Sequence, residues 1–193
     1  MKGARPLTRE QVKAVLNAAS SIREKALLTL GFCTGYRISE LLSLRMSDIS
    51  TNGVIHSHIT VKASHTKTKT GRTVLLNSDA KKALKSLVDW LTAKGLTDGP
   101  LFLSRKTTDG KPKAISRQHA HDLLKALFAA IGQYGNVSTH SLRKTFAKFA
   151  YELLGGKLEK VQVALGHKSI TSTIAYLSFN HDDIDTAIMG IEL

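Results

Sequence analysis

The sequence predicts an α+β fold that is mainly helical and contains a small antiparallel sheet or hairpin. Apolar residues recur at helical spacing through most of the chain, for example over residues 139–154. In contrast, residues 53–61 are rich in β-branched side chains and partly alternate, and residues 73–76 are the expected partner strand. The chain has 193 residues, which is enough to bury a sizeable core.

Composition narrows the class of partner. The net charge of +13 and a pI near 10.0 favour a polyanion, either nucleic acid or an anionic membrane surface. The chain has no long apolar run and no basic amphipathic helix with an aromatic face, so we expect nucleic acid and no membrane. The single cysteine, Cys33, excludes an internal disulfide and fits a reducing cytoplasm.

The first half of the chain predicts three helices before the sheet. Thr8 is followed three residues later by Gln11, which is the pattern of a capping box at the start of a helix. A nearly all-apolar and therefore buried helix is expected over residues 22–32, and a third over residues 37–46.

A basic stretch, residues 62–72, joins the two strands and is interpreted as a hairpin loop that reaches out of the sheet. The second half returns to helices, which are expected over residues 78–94, 116–131, 139–154, 161–165, 171–177 and 182–191. Residues 105–113 are basic and contain Gly and Pro, which is typical of a loop. We find no internal repeat and no linker, so one domain is expected over residues 1–193.

One helical segment carries two candidate site residues. His140 and Arg143 are three residues apart and share a helix face, where an imidazole and a guanidinium can grip a phosphate. A solvated polar face explains this segment alone equally well. The apolar stripe that would anchor the helix consists of Leu142, Phe146, Phe149, Leu153 and Leu154.

Common catalytic signatures are missing from the sequence. It has no Walker P-loop, no G-x-S-x-G, no H-E-x-x-H and no cysteine pair, so none of these sites, including a zinc site, is indicated. His56 and His58 share a strand face and could bind a metal together, but no third ligand is evident and an exposed pair is favoured. His119 and His121 are interpreted as surface residues.

Three segments carry a recognisable pattern. Residues 34–44 read TGYRISELLSL, residues 140–146 read HSLRKTF, and residues 165–176 read LGHKSITSTIAY. Their order, spacing and flanking residues resemble the three motifs of the tyrosine recombinase (phage integrase) family. The resemblance extends from about Leu7 to Leu177 and implies the fold of that family's catalytic domain.

The resemblance implies a covalent mechanism on DNA. Tyr176 would attack a phosphodiester and form a 3′-phosphotyrosine. This attack requires a base and a cationic site, because a phenol of pKa about 10 is mostly protonated at neutral pH. Arg37 and Arg143 would bind the two non-bridging oxygens. His140 and His167 would hydrogen-bond the phosphate or move the tyrosine proton.

A lysine of the basic loop would protonate the departing 5′ oxygen in this family. The resemblance therefore implies that no metal and no cofactor is needed, because the arginines supply the charge, the lysine supplies the proton and the phosphotyrosine keeps the bond energy. Lys69 matches best and Lys67 is the second candidate. Glu40 is expected to support Arg37 by hydrogen bonding. Further DNA contacts are expected from Lys62, Lys67, Arg72, Ser141 and Lys144, of which Lys144 replaces a histidine that many family members have.

Each site residue also has an ordinary structural interpretation. Tyr176 could be a core residue, and Tyr36, Tyr134 and Tyr151 compete with it as the nucleophile. His167 could simply follow a glycine helix cap, and the functional interpretation gains its strength from the whole set.

The resemblance also implies how the chain is organised. We expect a single catalytic domain without the N-terminal DNA-clamping domain of longer relatives, either as a fragment of such a relative or as one of the short relatives that act as catalytic domains alone. We also expect a tail over about residues 182–193 that packs on its own domain or exchanges between protomers. The expected assembly is a homotetramer on paired double-stranded DNA sites and a monomer without DNA, in a bacterial cytoplasm.

The expected function is therefore site-specific recombination, whether integration, excision or inversion. A type IB topoisomerase would share the chemistry, and a non-catalytic DNA-binding protein would share the fold. An RNA-binding module is disfavoured because only 6% of the residues are aromatic.

Overall fold

The computed structural model describes residues 3–62, 71–108, 110–177 and 189. It confirms the mainly helical α+β fold. The described helices are α1 (Arg9–Ala18), α2 (Ile22–Thr34), α3 (Ile38–Leu42), α4 (Met46–Ile49), α5 (Ser78–Ala93), α6 (Arg117–Ala130), α7 (Thr139–Leu153), α8 (Leu158–Leu165) and α9 (Ile170–Leu177). The capping box predicted at Thr8 is confirmed, and a second one begins α2 at Ser21.

The described strands form three separate antiparallel pairs rather than one sheet. They are β1 (Ser50–Thr51), β2 (Val54–Ile55), β3 (His58–Val61), β4 (Arg72–Leu75), β5 (Leu103–Thr108) and β6 (Lys111–Ala114), paired in chain order. The predicted strand over residues 53–61 is thus two strands, because β2 turns back onto β1 whereas β3 pairs with β4.

Two other predictions of local structure were wrong. The expected helix over residues 37–46 is interrupted, because Leu44 O accepts from Leu101 N at 2.9 Å and Met46 N donates to Gly99 O at 2.9 Å. The backbone there joins a neighbouring segment instead of continuing the helix. The expected loop over residues 105–113 is a hairpin in which Gly110, at φ 72°, lies in the turn.

The chain forms two compact units, residues 1–146 and 147–193, and their boundary falls within α7. The first unit holds two apolar clusters. One lies between α2 and α5, with the β3–β4 pair against it, and the other is built from α1, α2, α6 and the start of α7. Leu142 belongs to the second cluster and is 1% exposed.

The second unit contains the packed helices α8 and α9. Gly166 ends α8 at φ 65°, and the next amide, His167 N, donates to Gln162 O at 3.1 Å. Leu153 was predicted to belong to the apolar stripe that anchors α7, and this prediction was wrong because its side chain is 78% exposed. The predicted final helix over residues 182–191 lies almost wholly outside the described residues.

No helix in the described part of the chain combines the length and apolar character that crossing a membrane requires.

Candidate active site

A tight turn after α2 begins the first motif. Gly35 lies at φ 60°, a left-handed conformation that favours glycine. A Cβ atom at this position would overlap the ring of Phe146 on α7, so the close approach of the two segments also requires glycine. The turn therefore sets the place at which the chain presents Arg37, two residues later.

Arg37 is held by the carboxylate of Glu40. The Arg37 amide donates to Glu40 Oε2 at 2.7 Å, and its guanidinium Nη1 donates to Glu40 Oε1 at 2.8 Å. Glu40 is only 4% exposed, whereas the Arg37 side chain keeps 29% of its surface exposed. The buried carboxylate thus fixes a guanidinium that still reaches solvent.

Arg143 is anchored to the same turn through a backbone carbonyl. Its side chain is 2% exposed, and Nη1 donates to the Gly35 carbonyl at 2.5 Å. One short segment, residues 35–40, therefore holds both arginines of the predicted site: Arg143 through a backbone carbonyl and Arg37 through the Glu40 carboxylate.

His140 lies in the first turn of α7, within the field of these cations. Partial desolvation of its ring, followed by the positive charges of Arg143, Arg37 and Lys144, lowers its pKa below the ordinary value. His140 is consequently neutral at pH 7, although the residue as a whole is exposed. The first unit thus brings Arg37, His140, Arg143 and Lys144 together.

The predicted DNA contacts differ in their placement. Lys62 is exposed and Lys144 is half-buried, with its pKa lowered by that burial. Ser141 is fully buried, and its hydroxyl accepts from Ser138 N at 3.1 Å, at the start of α7. Arg72 is turned inward: its guanidinium stacks on Tyr36 and donates to the Thr34 carbonyl.

The two candidates for the catalytic lysine, Lys67 and Lys69, lie outside the described residues. The strands that flank their loop are described, and they are paired down to Val61 and Arg72. The base of the hairpin is therefore defined on both strands.

The second unit pairs an imidazole with the candidate nucleophile. The rings of His167 and Tyr176 meet edge to face, with centroids 5.3 Å apart and planes at 74°. His167 Nδ1 lies 3.0 Å from the Thr173 hydroxyl, which is fully buried one turn before Tyr176. The sequence reasoning missed Thr173, although its i, i+3 spacing from Tyr176 put both on one face of α9.

The competing tyrosines are placed differently. Tyr36 is 1% exposed, and its hydroxyl donates to the Ile59 and Arg72 carbonyl oxygens, each at 2.8 Å. Burial raises the pKa of Tyr36, and a buried phenol that is bonded to two carbonyls is a poor nucleophile. Tyr134 is 74% exposed.

The expected strand pair of histidines is not formed, because His56 lies between β2 and β3 and only His58 lies on a strand, β3; both contact local groups. His56 Nε2 lies 2.9 Å from Thr51 Oγ1, and His58 Nδ1 lies 2.9 Å from Ser57 Oγ. Among the described residues no group of three or more His, Cys, Asp or Glu side chains is placed to hold a metal ion.

Four features define a tyrosine recombinase type of catalytic domain. They are the mainly helical α+β fold, an arginine after a glycine turn, an H-x-x-R helix and a His–Tyr pair. The sequence model of the phage integrase family matches residues 5–182. The chain therefore belongs to the phage integrase family.

Individual relatives agree with this assignment. The chain is similar to the tyrosine recombinase XerC of Roseiflexus sp. (strain RS-1), with 33% identity over 189 residues that cover 92% of this chain and 56% of the relative. The chain spans about half the length of the curated relatives it matches.

Solved structures share the fold. XerA recombinase matches with a TM-score of 0.80 and 24% identity, over 100% of this chain and 68% of that one. XerH site-specific recombinase, bound to palindromic difH substrate in a post-cleavage complex, matches with a TM-score of 0.70 and 24% identity, over 97% of this chain and 53% of that one.

Proposed function

We propose that this chain is the catalytic domain of a site-specific DNA recombinase, which cleaves and rejoins DNA strands through a 3′-phosphotyrosine. The observation that carries the proposal is the double anchoring of residues 35–40, which hold both Arg37 and Arg143. Two fixed guanidiniums suit a phosphodiester, because each can donate to a non-bridging oxygen without reorganising in the transition state. The solved XerH complex with its DNA substrate supports DNA as the partner.

In the cleavage step Tyr176 Oη bonds to the phosphorus, and the bond between the phosphorus and the 5′ oxygen breaks. The tyrosine proton passes to His167 or, through solvent, to another base, and the contact between the two rings supports His167. Lys69, or Lys67 in its place, gives a proton to the departing 5′ oxygen. Religation reverses these transfers, so the phosphotyrosine conserves the bond energy and no nucleotide cofactor enters.

His140 is proposed to donate a hydrogen bond to a non-bridging oxygen. A neutral imidazole still has one N–H donor, and its lowered pKa follows from the cations that surround it. When the phosphate arrives, its negative charge offsets those cations. Lys144 and Lys62 are proposed as backbone contacts, whereas Arg72 and Ser141 have internal partners and are left out of the DNA-contacting set.

The same proposal includes assembly as a tetramer on paired DNA sites, with a tail over residues 182–193 that exchanges between protomers. Bacterial relatives such as the Roseiflexus recombinase support a role in a bacterial cell or its mobile elements.

The experiment that tests this function traps the covalent intermediate. A library of nicked duplexes with randomised arms is incubated with the chain, and the DNA that remains attached under denaturing conditions is sequenced. A nick beside the cleaved bond lets the short fragment diffuse away, so religation fails and the adduct accumulates. Wild type should yield an adduct on a defined site, and Tyr176→Phe should yield none.

Tyr134→Phe is the matched control, because Tyr134 is 74% exposed and should keep full activity. An adduct that persists in Tyr176→Phe would show that another residue is the nucleophile. The absence of any adduct with wild type would contradict catalysis and favour a DNA-binding role. Relaxation of a supercoiled plasmid that lacks the selected site would instead favour a topoisomerase.

A further inference from the structure

The side chain of Tyr36 joins three segments of the first unit. It lies directly before Arg37, it is 1% exposed, and its hydroxyl donates to the carbonyl oxygens of Ile59 on β3 and Arg72 on β4. Both distances are 2.8 Å, so one hydroxyl proton is shared between the two strands of the hairpin. The contact lies near the end of the β3–β4 pair, where Val61 pairs with Arg72 and the basic loop begins.

The side chain of Arg72, on β4, contacts residues 34 and 36 in return. Its guanidinium carbon lies 4.4 Å above the centre of the Tyr36 ring, and its Nη2 donates to the carbonyl of Thr34. A cation over an aromatic face is favourable, and more so when both groups are desolvated, as they are here. The hairpin is therefore bound to residues 34–37 twice, once by a side chain from each segment.

A purely apolar side chain would fill the same space without these bonds. Burying a phenol hydroxyl costs free energy unless it is hydrogen-bonded, so Tyr36 is tolerated in the core because the two strand carbonyls accept from it. The bonds are directional, whereas apolar packing alone would leave the hairpin free to shift along the core. This difference separates a positioning role from simple core filling.

We propose that Tyr36 and Arg72 form a positioning pair that fixes, relative to Arg37, the base of the segment that connects β3 and β4, residues 62–71 of the basic stretch. The pair thereby places the loop lysine that protonates the departing 5′ oxygen. This inference rests on the proposed function, but it concerns two residues that do not themselves contact the reacting atoms. Tyr36 acts through the hairpin and is not a nucleophile.

The test compares two nicked substrates of the selected sequence in single-turnover cleavage. One has the natural 5′ oxygen at the scissile bond, and the other has sulfur in its place. A thiolate leaves without being protonated, so a defect in placing the lysine should disappear on the sulfur substrate. Tyr36→Phe, which removes only the hydroxyl, should slow cleavage of the oxygen substrate by about tenfold.

On the sulfur substrate, Tyr36→Phe should come within about twofold of wild type, the same pattern that removal of the catalytic lysine should give. Tyr134→Phe is the control and should match wild type on both substrates, because its hydroxyl is exposed. The proposal would be overturned if Tyr36→Phe cleaved the oxygen substrate as fast as wild type does, or if its cleavage were slowed equally on both substrates. Equal slowing would mean that Tyr36 serves the fold or Arg37 instead of the lysine.

A measurement that does not depend on catalysis keeps the two proposals separate. Amide hydrogen exchange of β3 and β4 should be about tenfold faster in Tyr36→Phe, with no change in α6. Unchanged exchange in the hairpin would overturn the positioning role, whatever the cleavage results. If wild type forms no adduct while Tyr36→Phe loosens the hairpin, then the proposed function fails and the structural role of the pair stands.

Discussion

The site residues of the two units are held in different ways. In the first unit, Arg37 is bonded twice to a buried carboxylate, and Arg143 is almost wholly buried and bonded to the Gly35 carbonyl. In the second unit, His167 and Tyr176 belong to helices of only eight residues or their connection. On α8, Val163 is 78% exposed, whereas Val161 and Leu165 are buried.

This contrast fits the two tasks of the proposed reaction. Stabilising charge on a transferring phosphoryl group works best when the donors do not move, which requires buried, directional bonds. A nucleophile that becomes attached to DNA and later leaves it must tolerate displacement, and short helices such as α8 and α9 open at lower cost than long ones. The variants below test whether the first unit really depends on its bonds and whether the second depends less on them.

The largest effect is expected at the turn of the first unit. Gly35→Ala should destabilise the fold by about 3–5 kcal/mol, because it combines a left-handed backbone with overlap of the Phe146 ring. Chemical denaturation would measure it. Gly53→Ala is the control: it has φ 77° but open space around its Cβ, so only the backbone penalty of about 1–2 kcal/mol remains. Equal losses in the two variants would contradict the tight packing described at Gly35.

A smaller effect is expected from the carboxylate that holds Arg37. Glu40→Gln should cost about 2 kcal/mol and slow cleavage by at least about tenfold, because one acceptor becomes a donor facing a guanidinium. Glu24→Gln is matched to it, since Glu24 makes the same kind of capping box on α2 but holds no site residue. In Glu24→Gln, the free energy of unfolding should fall by about 1 kcal/mol or less, and cleavage should be normal. If both variants cleave alike, Glu40 has only a capping role.

The hydrogen bond of the second unit should matter less for stability. Thr173→Val keeps the volume of a buried side chain but removes the hydroxyl next to His167 Nδ1, so a loss of about 1 kcal/mol is expected. Cleavage should fall by about fivefold, because the imidazole loses the partner that orients it. Thermal unfolding and single-turnover cleavage measure the two effects, with Thr171→Val, at an exposed position, as the control. A stability loss as large as that of Gly35→Ala would remove the contrast between the units.

Much of the fold and the residue types of the site could be predicted from the sequence. Strong local signals, such as the capping box at Thr8 and the apolar run of α2, determine elements whose partners lie nearby in the chain. The interrupted helix after Leu42 could not be predicted, because its cause is pairing of residues 44–46 with residues 99–101, far along the chain. The hairpin over residues 103–114 was missed for a different reason: its pairing is local, but its basic composition with Gly and Pro is typical of a loop.

The same limit applies to the site. The three motifs indicate which residues belong to it, but the orientation of a long side chain depends on its tertiary partners. Arg72 was expected to face DNA, yet it stacks on Tyr36. From the sequence, Tyr36 was considered only as an alternative nucleophile. No local pattern separates a phosphate-binding arginine from one that ties two segments together.

The smallest expected effect concerns His140, whose pKa is lowered by partial desolvation and by three neighbouring cations. Between its ordinary value of about 6.5 and the lower value in the folded chain, the unfolded chain binds more protons, so His140 reduces stability as the pH falls. Above that range it contributes nothing. His140→Gln should therefore flatten the loss of stability between pH 7 and pH 5, as followed by denaturant midpoints.

DNA should reverse the sign of this effect. A bound phosphate adds negative charge beside His140, raises its pKa and favours proton uptake, so DNA affinity should increase as the pH falls. His140→Gln should weaken that pH dependence at constant salt, whereas His119→Gln, at an exposed position on α6, should leave it unchanged. Unaltered pH dependence in both variants would mean that the phosphate binds away from His140, and that the cations of the first unit serve some purpose other than holding the scissile phosphate.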